Sequence, residues 1–361
     1  MLSLTPENQN RVHNAVRILV TGGAGFIGSA LVRRLVEQQH SVCTLDKLGY
    51  AGSLQNIAAV IDNPAHHFIE ADIADESAVA AAFASFKPEA VMHLAAETHV
   101  DRSVDSPRAF IDANVIGTYT LLEAGLKAHA ENPAFRMLHV STDEVFGSLG
   151  PTGAFKETSP YQPNSPYSAS KAAADHLARA WWETYGLPVI VTNCSNNYGP
   201  YQHPEKLIPT IIRKALANLP IPVYGDGLQV RDWLHVDDHV RGLTKALTQG
   251  TPGDSYNIGS DNERTNLEIV GFVLDAIARL KNQDRQQLEG LISFVTDRPG
   301  HDRRYAVDAS HIKQQLNWRA EVDFAQGIED TVAWYAANEN WSLEVAADAD
   351  GKRLGLSREK K

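Results

Sequence analysis

The chain of 361 residues and 39.5 kDa has room for about two domains, and its 43% apolar content is globular rather than disordered. Thirty-three Lys and Arg against 44 Asp and Glu leave a net charge of −11, which offers nucleic acid and anionic lipid no general attraction, although a local basic pocket can still hold a phosphate. Cys43 and Cys194 are the two cysteines, each in an apolar run, so a disulfide framework and a cysteine-rich metal site are excluded. No apolar run reads as a signal peptide or a membrane span. The expectation is a cytoplasmic protein without metal, membrane or nucleic-acid partner.

Residues 1–15 read as an extension of no legible function, and a first strand follows at 16–20. A helix at 30–38, strands at 41–45 and 67–70, a helix at 78–86 and a strand at 90–94 come next. A long helical region at 107–130, a strand at 136–140, a helix at 169–185 and a strand at 188–193 complete the alternation. That order requires a doubly wound α/β fold, a Rossmann-type parallel sheet with helices on both faces. Beyond residue 196 the chain is richer in Gly, Pro and polar turns, with helices expected at 209–216, 238–247 and 267–280. The expected organisation is a dinucleotide-binding domain over 16–195, to which later segments return, and a smaller mixed α/β substrate domain mainly over 196–340. Residues 340–361 read as a surface helix or frayed tail.

The segment Thr21-Gly22-Gly23-Ala24-Gly25-Phe26-Ile27-Gly28 joins the first strand to the first helix. Gly22, Gly25 and Gly28 lack the Cβ atoms that would obstruct a tight turn, the approach of a pyrophosphate and the packing of helix on sheet. The helix N-terminus then presents unpaired N–H groups to the phosphates. Asp46, at the end of the second strand, suits ribose hydroxyls and repels a 2′-phosphate, which selects NAD over NADP; the adjacent Lys47 weakens that preference. Asp72 and Ile73 stand where the adenine edge is expected. The small residues of Leu94-Ala95-Ala96-Glu97-Thr98 allow the dinucleotide close access.

Tyr167 and Lys171 are four apart, hence on one face of a helix. An ammonium and a positive nicotinamide ring both favour phenolate, so Tyr167 can take a hydroxyl proton as hydride leaves the same carbon, while Lys171 holds the nicotinamide ribose. Ser141-Thr142-Asp143-Glu144 ends the strand at 136–140, on the edge of the sheet that faces the ligand crevice. Oxidation of a sugar C4 hydroxyl makes a ketone that acidifies C5–H. Elimination then needs a base at C5 and an acid for the departing C6 hydroxyl, and hydride returned to C6 closes a redox-neutral cycle. Asp143 and Glu144 supply an acid and a base, and residue types alone leave open which is which.

The segments TGGAGFIGS at 21–29, HLAAETHVDRS at 93–103, VSTDEVFG at 140–147, YSASK at 167–171, NCSNNYGPYQHPEKLIP at 193–209, GDGLQVRDWLHVDDH at 225–239 and DRPGHDRRYAVD at 297–308 resemble the dTDP-glucose 4,6-dehydratase family of extended short-chain dehydrogenases/reductases. The resemblance runs from residue 16 to about residue 341. It implies conversion of dTDP-glucose to dTDP-4-keto-6-deoxy-glucose with bound NAD, and a homodimer formed through the long helices of the nucleotide domain. It further implies that Thr142 polarises the C4 oxygen, Asp143 is the acid, Glu144 the C5 base and Tyr167 the C4 base.

By the same resemblance the cofactor contacts include Phe26, Ile27, Asp46, Lys47, Leu48, Gly49, Asp72, Ile73, Leu94, Ala95, Ala96, Glu97, Thr98, Ala113, Tyr167, Lys171 and Asn197. The nucleotide-sugar contacts are Thr98, Thr142, Asn196, Lys206, Leu207, Pro222, Val223, Tyr224, Arg231, Asn266, Asp297, Arg298, Pro299, Gly300 and His301. Lys206 and Arg231 also have their own rationale, since a diphosphate needs cationic donors. Gly49 and Ala113 stand where the family usually has Thr, and Phe146 where it has Tyr, so each omits a hydroxyl. A 4-epimerase or decarboxylase of this superfamily would share Tyr167 and Lys171 but has no elimination to perform, and a silent NAD- or sugar-binding regulator would not need the reacting set. The fate of the product, whether rhamnose, another deoxysugar or an antibiotic sugar, is open.

Overall fold

The structure, a computed structural model, describes residues 15–297 and 302–346. The nucleotide lobe begins with β1 (Arg17–Thr21), α1 (Phe26–Glu37), β2 (Ser41–Asp46), β3 (His66–Glu70), α2 (Glu76–Phe86), β4 (Ala90–His93), α3 (Val100–Asp105) and α4 (Pro107–Phe110). It continues with α5 (Gly117–Glu131), β5 (Arg136–Thr142), α6 (Pro166–Tyr185) and β6 (Val189–Cys194). Next come β7 (Asn196–Tyr198), α7 (Leu207–Leu216), β8 (Ile221–Tyr224), β9 (Val230–His235), α8 (Val236–Gln249), β10 (Ser255–Ile258), β11 (Glu263–Thr265) and α9 (Asn266–Lys281). The order closes with α10 (Arg285–Glu289), β12 (Ile292–Val295), α11 (Ser310–Leu316), α12 (Phe324–Ala337) and α13 (Glu339–Ala346).

Seven strands form an all-parallel sheet in the order β10-β6-β5-β4-β1-β2-β3. The chain winds outward from β1 to β3, then returns to lay β4 on the other side of β1. The crevice therefore opens where those directions diverge, at the C-terminal ends of the strands. Alternation along the strands feeds a core on each face. Ile18, Val20, Leu138, Val140 and Ile190 pack with α1 and α8, whereas Leu19, Met137, Val189 and Val191 pack with α2, α5 and α6. β10 and α8 come from beyond residue 196 and build the larger sheet layer.

A separate core joins α7, α9 and α12 through Ile211, Ile212, Val273, Leu274, Ile328 and Val332. It carries a three-stranded sheet, β11-β9-β7, and the pair β12-β8. Residues from 340 do not fray at once: α13 buries Trp341, whose indole N–H donates to Asn56 Oδ1 at 2.9 Å. The extension at 1–14, the end at 347–361 and the loop at 298–301 lie outside the described residues.

The helical region expected at 107–130 is interrupted by a π-helical segment at Ile111–Ile116. The wider turn sets Asn114 inward, where its amide exchanges hydrogen bonds with Glu97 N and O (2.8 and 3.0 Å) and donates to Ser170 Oγ at 2.8 Å. α6 begins earlier than the expected residue 169, because Ser165 and Ser168 form a reciprocal cap and Pro166 occupies the first turn. Tyr167 is thereby fixed in a well-capped helix rather than in a loop.

Candidate active site

A cavity of about 330 Å3 runs from the glycine turn to the end of β5 and on to the loop before α7. At one end, Gly22 has a φ of +71°, and a Cβ there would lie 2.6 Å from Ala95 N; a Cβ on Gly28 would lie 2.0 Å from Gly22 O. Both positions therefore exclude any side chain. Gly25 caps α1 without a side-chain acceptor, so the first-turn N–H groups are left for a ligand. Asp46 is buried at the end of β2, accepting from Ala24 N (3.0 Å) and Leu48 N (2.9 Å). Burial raises its pKa, and those two N–H groups with Lys47 oppose the rise. Lys47 Nζ bridges the neighbouring loops, 3.4 Å from Asp72 and 3.7 Å from Glu97. This end has the shape and donor set of a dinucleotide cradle.

Of the expected cofactor residues, Gly22, Gly25, Phe26, Ile27, Gly28, Asp46, Lys47, Gly49, Asp72, Ile73, Leu94 to Thr98, Ala113, Tyr167, Lys171 and Asn197 line this cavity. Leu48 does not; its φ of +50° makes it the turn that carries Lys47 and Gly49. Gly49 needs no glycine geometry, since a Cβ would meet Lys47 carbons at ordinary contact distance. Phe146, beside the reacting strand, stacks on Phe155 (5.2 Å) and meets the edge of Tyr161 (5.2 Å), an apolar cluster with no need of a hydroxyl.

At the other end, β5 extends two residues beyond the expected residue 140, so Thr142 is its last residue and caps a 3-10 turn over Asp143–Phe146. Thr142 Oγ1 accepts from Glu144 N at 3.2 Å and donates to Asp143 Oδ1 at 3.3 Å. Asp143 is 2% exposed, and its Oδ2 has no hydrogen-bond partner among the described residues. Burial, then the Glu144 charge, push its pKa up to about 8, against a smaller opposing pull from Arg231. At neutral pH it holds a proton.

Tyr167 and Lys171 are buried on α6 facing the same cavity. Burial and the Glu144 charge hold the Tyr167 pKa well above its ordinary value, and a hydrogen bond with Thr142 works the other way. The depression expected from Lys171 is not what these protein groups produce. The ammonium is directed instead to Val140 O, at 2.9 Å, and burial lowers its own pKa.

The expected sugar contacts divide into two groups. Thr98, Thr142, Asn196 and Lys206 line the cavity, with Lys206 Nζ 3.5 Å from Thr98 O. Leu207 opens α7, Pro222, Val223 and Tyr224 form β8, Arg231 lies on β9 and Asn266 opens α9; none of these lines the cavity. Arg231 is 6% exposed, donating to the carbonyls of Val230, Arg303 and Asp302 over the Tyr305 ring. Gln229 donates to Asp297 (2.9 Å) and accepts from Asn266 (3.4 Å), which links two expected contacts through a residue the motifs do not single out. Arg298, Pro299, Gly300 and His301 lie outside the described residues. Tyr50, Gln202 and His203 also line the cavity without having been expected as contacts: Gln202 and His203 lie inside the segment at 193–209, and Tyr50, in a loop, carries no periodic or spacing signal.

The sequence model of the family described as GDP-mannose 4,6 dehydratase matches residues 19–331, and the chain belongs to this dehydratase family. It is 53% identical over 339 residues to a dTDP-glucose 4,6-dehydratase of Neisseria meningitidis serogroup B, spanning 91% of this chain and 96% of the relative. It is 50% identical to a dTDP-glucose 4,6-dehydratase of Escherichia coli over 360 residues, 94% of this chain and 99% of the relative. Among solved structures, the dTDP-glucose 4,6-dehydratase DesIV of Streptomyces venezuelae, with NAD and TYD bound, matches with a TM-score of 0.85 and 44% identity over 91% of this chain and 99% of that one. A UDP-glucose 4-epimerase of Thermotoga maritima matches at 0.80 and 29% identity over 90% and 99%. The described residues hold no cluster of three or more side chains suited to a metal ion, and no helix among them is long and apolar enough to cross a membrane.

Proposed function

We propose that this protein is a dTDP-glucose 4,6-dehydratase, converting dTDP-α-D-glucose to dTDP-4-keto-6-deoxy-D-glucose and water. The observation that carries this reading is the buried Asp143 beside Glu144, in one cavity with Tyr167 and Lys171; burial and the Glu144 charge push the Asp143 pKa up to about 8, which suits a general acid. An epimerase needs Tyr167 and Lys171 but has no departing hydroxyl to protonate. The relatives at 50–54% identity, all named for this reaction, support the same assignment.

NAD fits the residues present: the Gly22, Gly25 and Gly28 turn and the open end of α1 would hold its pyrophosphate, Asp46 its adenosine ribose, Asp72 and Ile73 its adenine, and Lys171 its nicotinamide ribose. When bound, NAD supplies the oxidant for C4 and the hydride for C6. Thr142 donates to the C4 oxygen, and Tyr167, whose phenolate form the protein groups alone disfavour and the positive nicotinamide ring would favour, takes the C4 hydroxyl proton. Glu144 takes the C5 proton, Asp143 gives its proton to the leaving C6 hydroxyl, water departs, and Glu144 returns a proton to C5 as hydride enters C6. Lys206 and Arg231 are the proposed diphosphate donors, with Asn196, Leu207, Pro222 to Tyr224, Asn266 and Asp297 to His301 around the nucleoside.

Exposed Ile111 (45%), Ile116 (44%), Tyr119 (38%) and Tyr185 (54%), with Trp181 between the two tyrosines, support a homodimer through α5 and α6. The cytoplasm is the proposed compartment, where NAD and charged nucleotide sugars are held. The test is incubation of the purified protein with dTDP-glucose, followed by product mass and sugar NMR. A 4-keto-6-deoxy product without net NADH is expected; unchanged glucose or its galactose epimer would sink the assignment.

A further inference from the structure

Asp175 follows Lys171 by one helical turn and Tyr167 by two, so all three side chains share a face of α6. It is 3% exposed, yet four donors converge on it. His139 Nε2 reaches Oδ1 at 3.0 Å; Ser141 Oγ, the Tyr161 hydroxyl and Asn193 Nδ2 reach Oδ2 at 2.8, 2.9 and 3.4 Å. Three donors on one oxygen and one on the other suit a carboxylate, which only accepts. They come from β5, from the loop before α6 and from β6. Asn193 Nδ2 also donates to Thr142 O at 3.1 Å, so the chain of contacts ends at the residue beside Asp143.

A buried carboxylate is destabilising unless charge and hydrogen bonds compensate it. His139 is not the compensating cation: burial and Lys171 lower its pKa, and its Nδ1 has no partner among the described residues. A neutral imidazole with its proton on Nε2 satisfies both observations. Lys171 is 4% exposed, and the influence that most strongly opposes burial's removal of its proton is Asp175.

We propose that Asp175 is a positioning residue for the C4 oxidation: the hydrogen bonds it accepts from His139, Ser141, Tyr161 and Asn193 register α6, and with it Tyr167 and Lys171, against the ends of β5 and β6, and set its carboxylate one helical turn behind Lys171. The proposal rests on the dehydratase reading for its catalytic consequence, on the hydrogen bonds for the registration of α6, and on the opposite charges of Asp175 and Lys171, one turn apart on one helix face, for the effect on the lysine. The other titratable groups around Lys171 are His139 on β5, His93 on β4, Cys194 on β6 and Tyr167 one turn back on α6, with Asp143 and Glu144 on the turn after β5. The two histidines are held neutral by burial and the thiol of Cys194 is pushed up to about 12, so Asp175 is the anion behind the lysine.

The test compares Asp175→Asn with Tyr161→Phe, using calorimetric NAD affinity across pH and steady-state turnover of dTDP-glucose. Loss of the Asp175 charge lets Lys171 lose its proton at lower pH, so the alkaline fall in NAD affinity should move down by roughly one pH unit. kcat should fall on the order of tenfold with KM unchanged. Tyr161→Phe removes a donor but leaves the charge, and its alkaline limb should coincide with the wild type. An Asp175→Asn profile that superimposes on the wild type would overturn the proposal, as would an equal shift in Tyr161→Phe. Should Asp175→Asn fail to fold, Asn193→Ser cuts the link to Thr142 O and keeps the charge. A lower kcat with an unmoved limb is then expected, and an unchanged kcat contradicts the proposal. The NAD titration needs no sugar substrate, so it decides the role of Asp175 even if dTDP-glucose is not turned over.

Discussion

The two ends of the cavity are made of different materials. The cofactor end is backbone: a turn at Gly22 with positive φ, a Gly28 with no room for a Cβ, and the open N-terminus of α1. The reacting end is buried side chains whose charges act on one another, with the pKa values of Asp143 and Tyr167 both raised by burial first and by the Glu144 carboxylate second. The contrast teaches that binding there depends on space, whereas chemistry depends on protonation. Substitutions at the two ends should therefore fail in different ways.

The largest effect is expected at Glu144→Gln. An amide cannot take the C5 proton, so dehydration should drop by roughly 10²- to 10⁴-fold while some C4 oxidation survives. Exchange of the C5 proton in deuterated water, followed by NMR, checks this; normal exchange would refute the base role.

Asp143→Asn should come next, and its signature is pH. With a folded-state pKa raised from 3.8 to about 8, Asp143 binds more protons in the folded than in the unfolded chain across that window. Its contribution to stability is present below the unfolded value and is lost as pH rises through about 8. The wild type should therefore lose Tm more steeply than the variant between about pH 4 and about pH 8, and its kcat should fall as pH rises through about 8 and the acid loses its proton.

Gly22→Ala fails by space instead: a Cβ at positive φ and 2.6 Å from Ala95 N should destabilise the fold by roughly 1–3 kcal/mol and weaken NAD binding, with no new pH dependence. Thermal melting with and without NAD measures both. The smallest effect is expected at Phe146→Tyr, which sets a hydroxyl into the stack with Phe155 and Tyr161. Tm should fall by a few degrees with kcat nearly unchanged.

The same contrast decides what the sequence discloses. A turn that admits no Cβ must be glycine, so Gly22 and Gly28 are legible, and the alternation of strand and helix foretells the parallel sheet. The triplet Thr142-Asp143-Glu144 is legible because two carboxylates at a strand end are hard to explain otherwise. Asn114 is not, since its inward turn depends on a π-helical widening that ordinary helical spacing conceals. Asp175 and Gln229 are not either: their partners, Ser141 and Asn193 for one and Asp297 and Asn266 for the other, are distant in the chain and meet only when the elements pack. Reading Lys171 as an electrostatic partner of Tyr167 missed that its ammonium donates to Val140 O.

The central claim, a redox-neutral dehydration within one cavity, is tested most directly with dTDP-glucose carrying deuterium at C4. The product should be the 4-keto-6-deoxy sugar with that deuterium at C6 of the same molecule. Deuterium found in solvent, accumulated in released NADH, or still at C4 of an unaltered or epimerised sugar would contradict it.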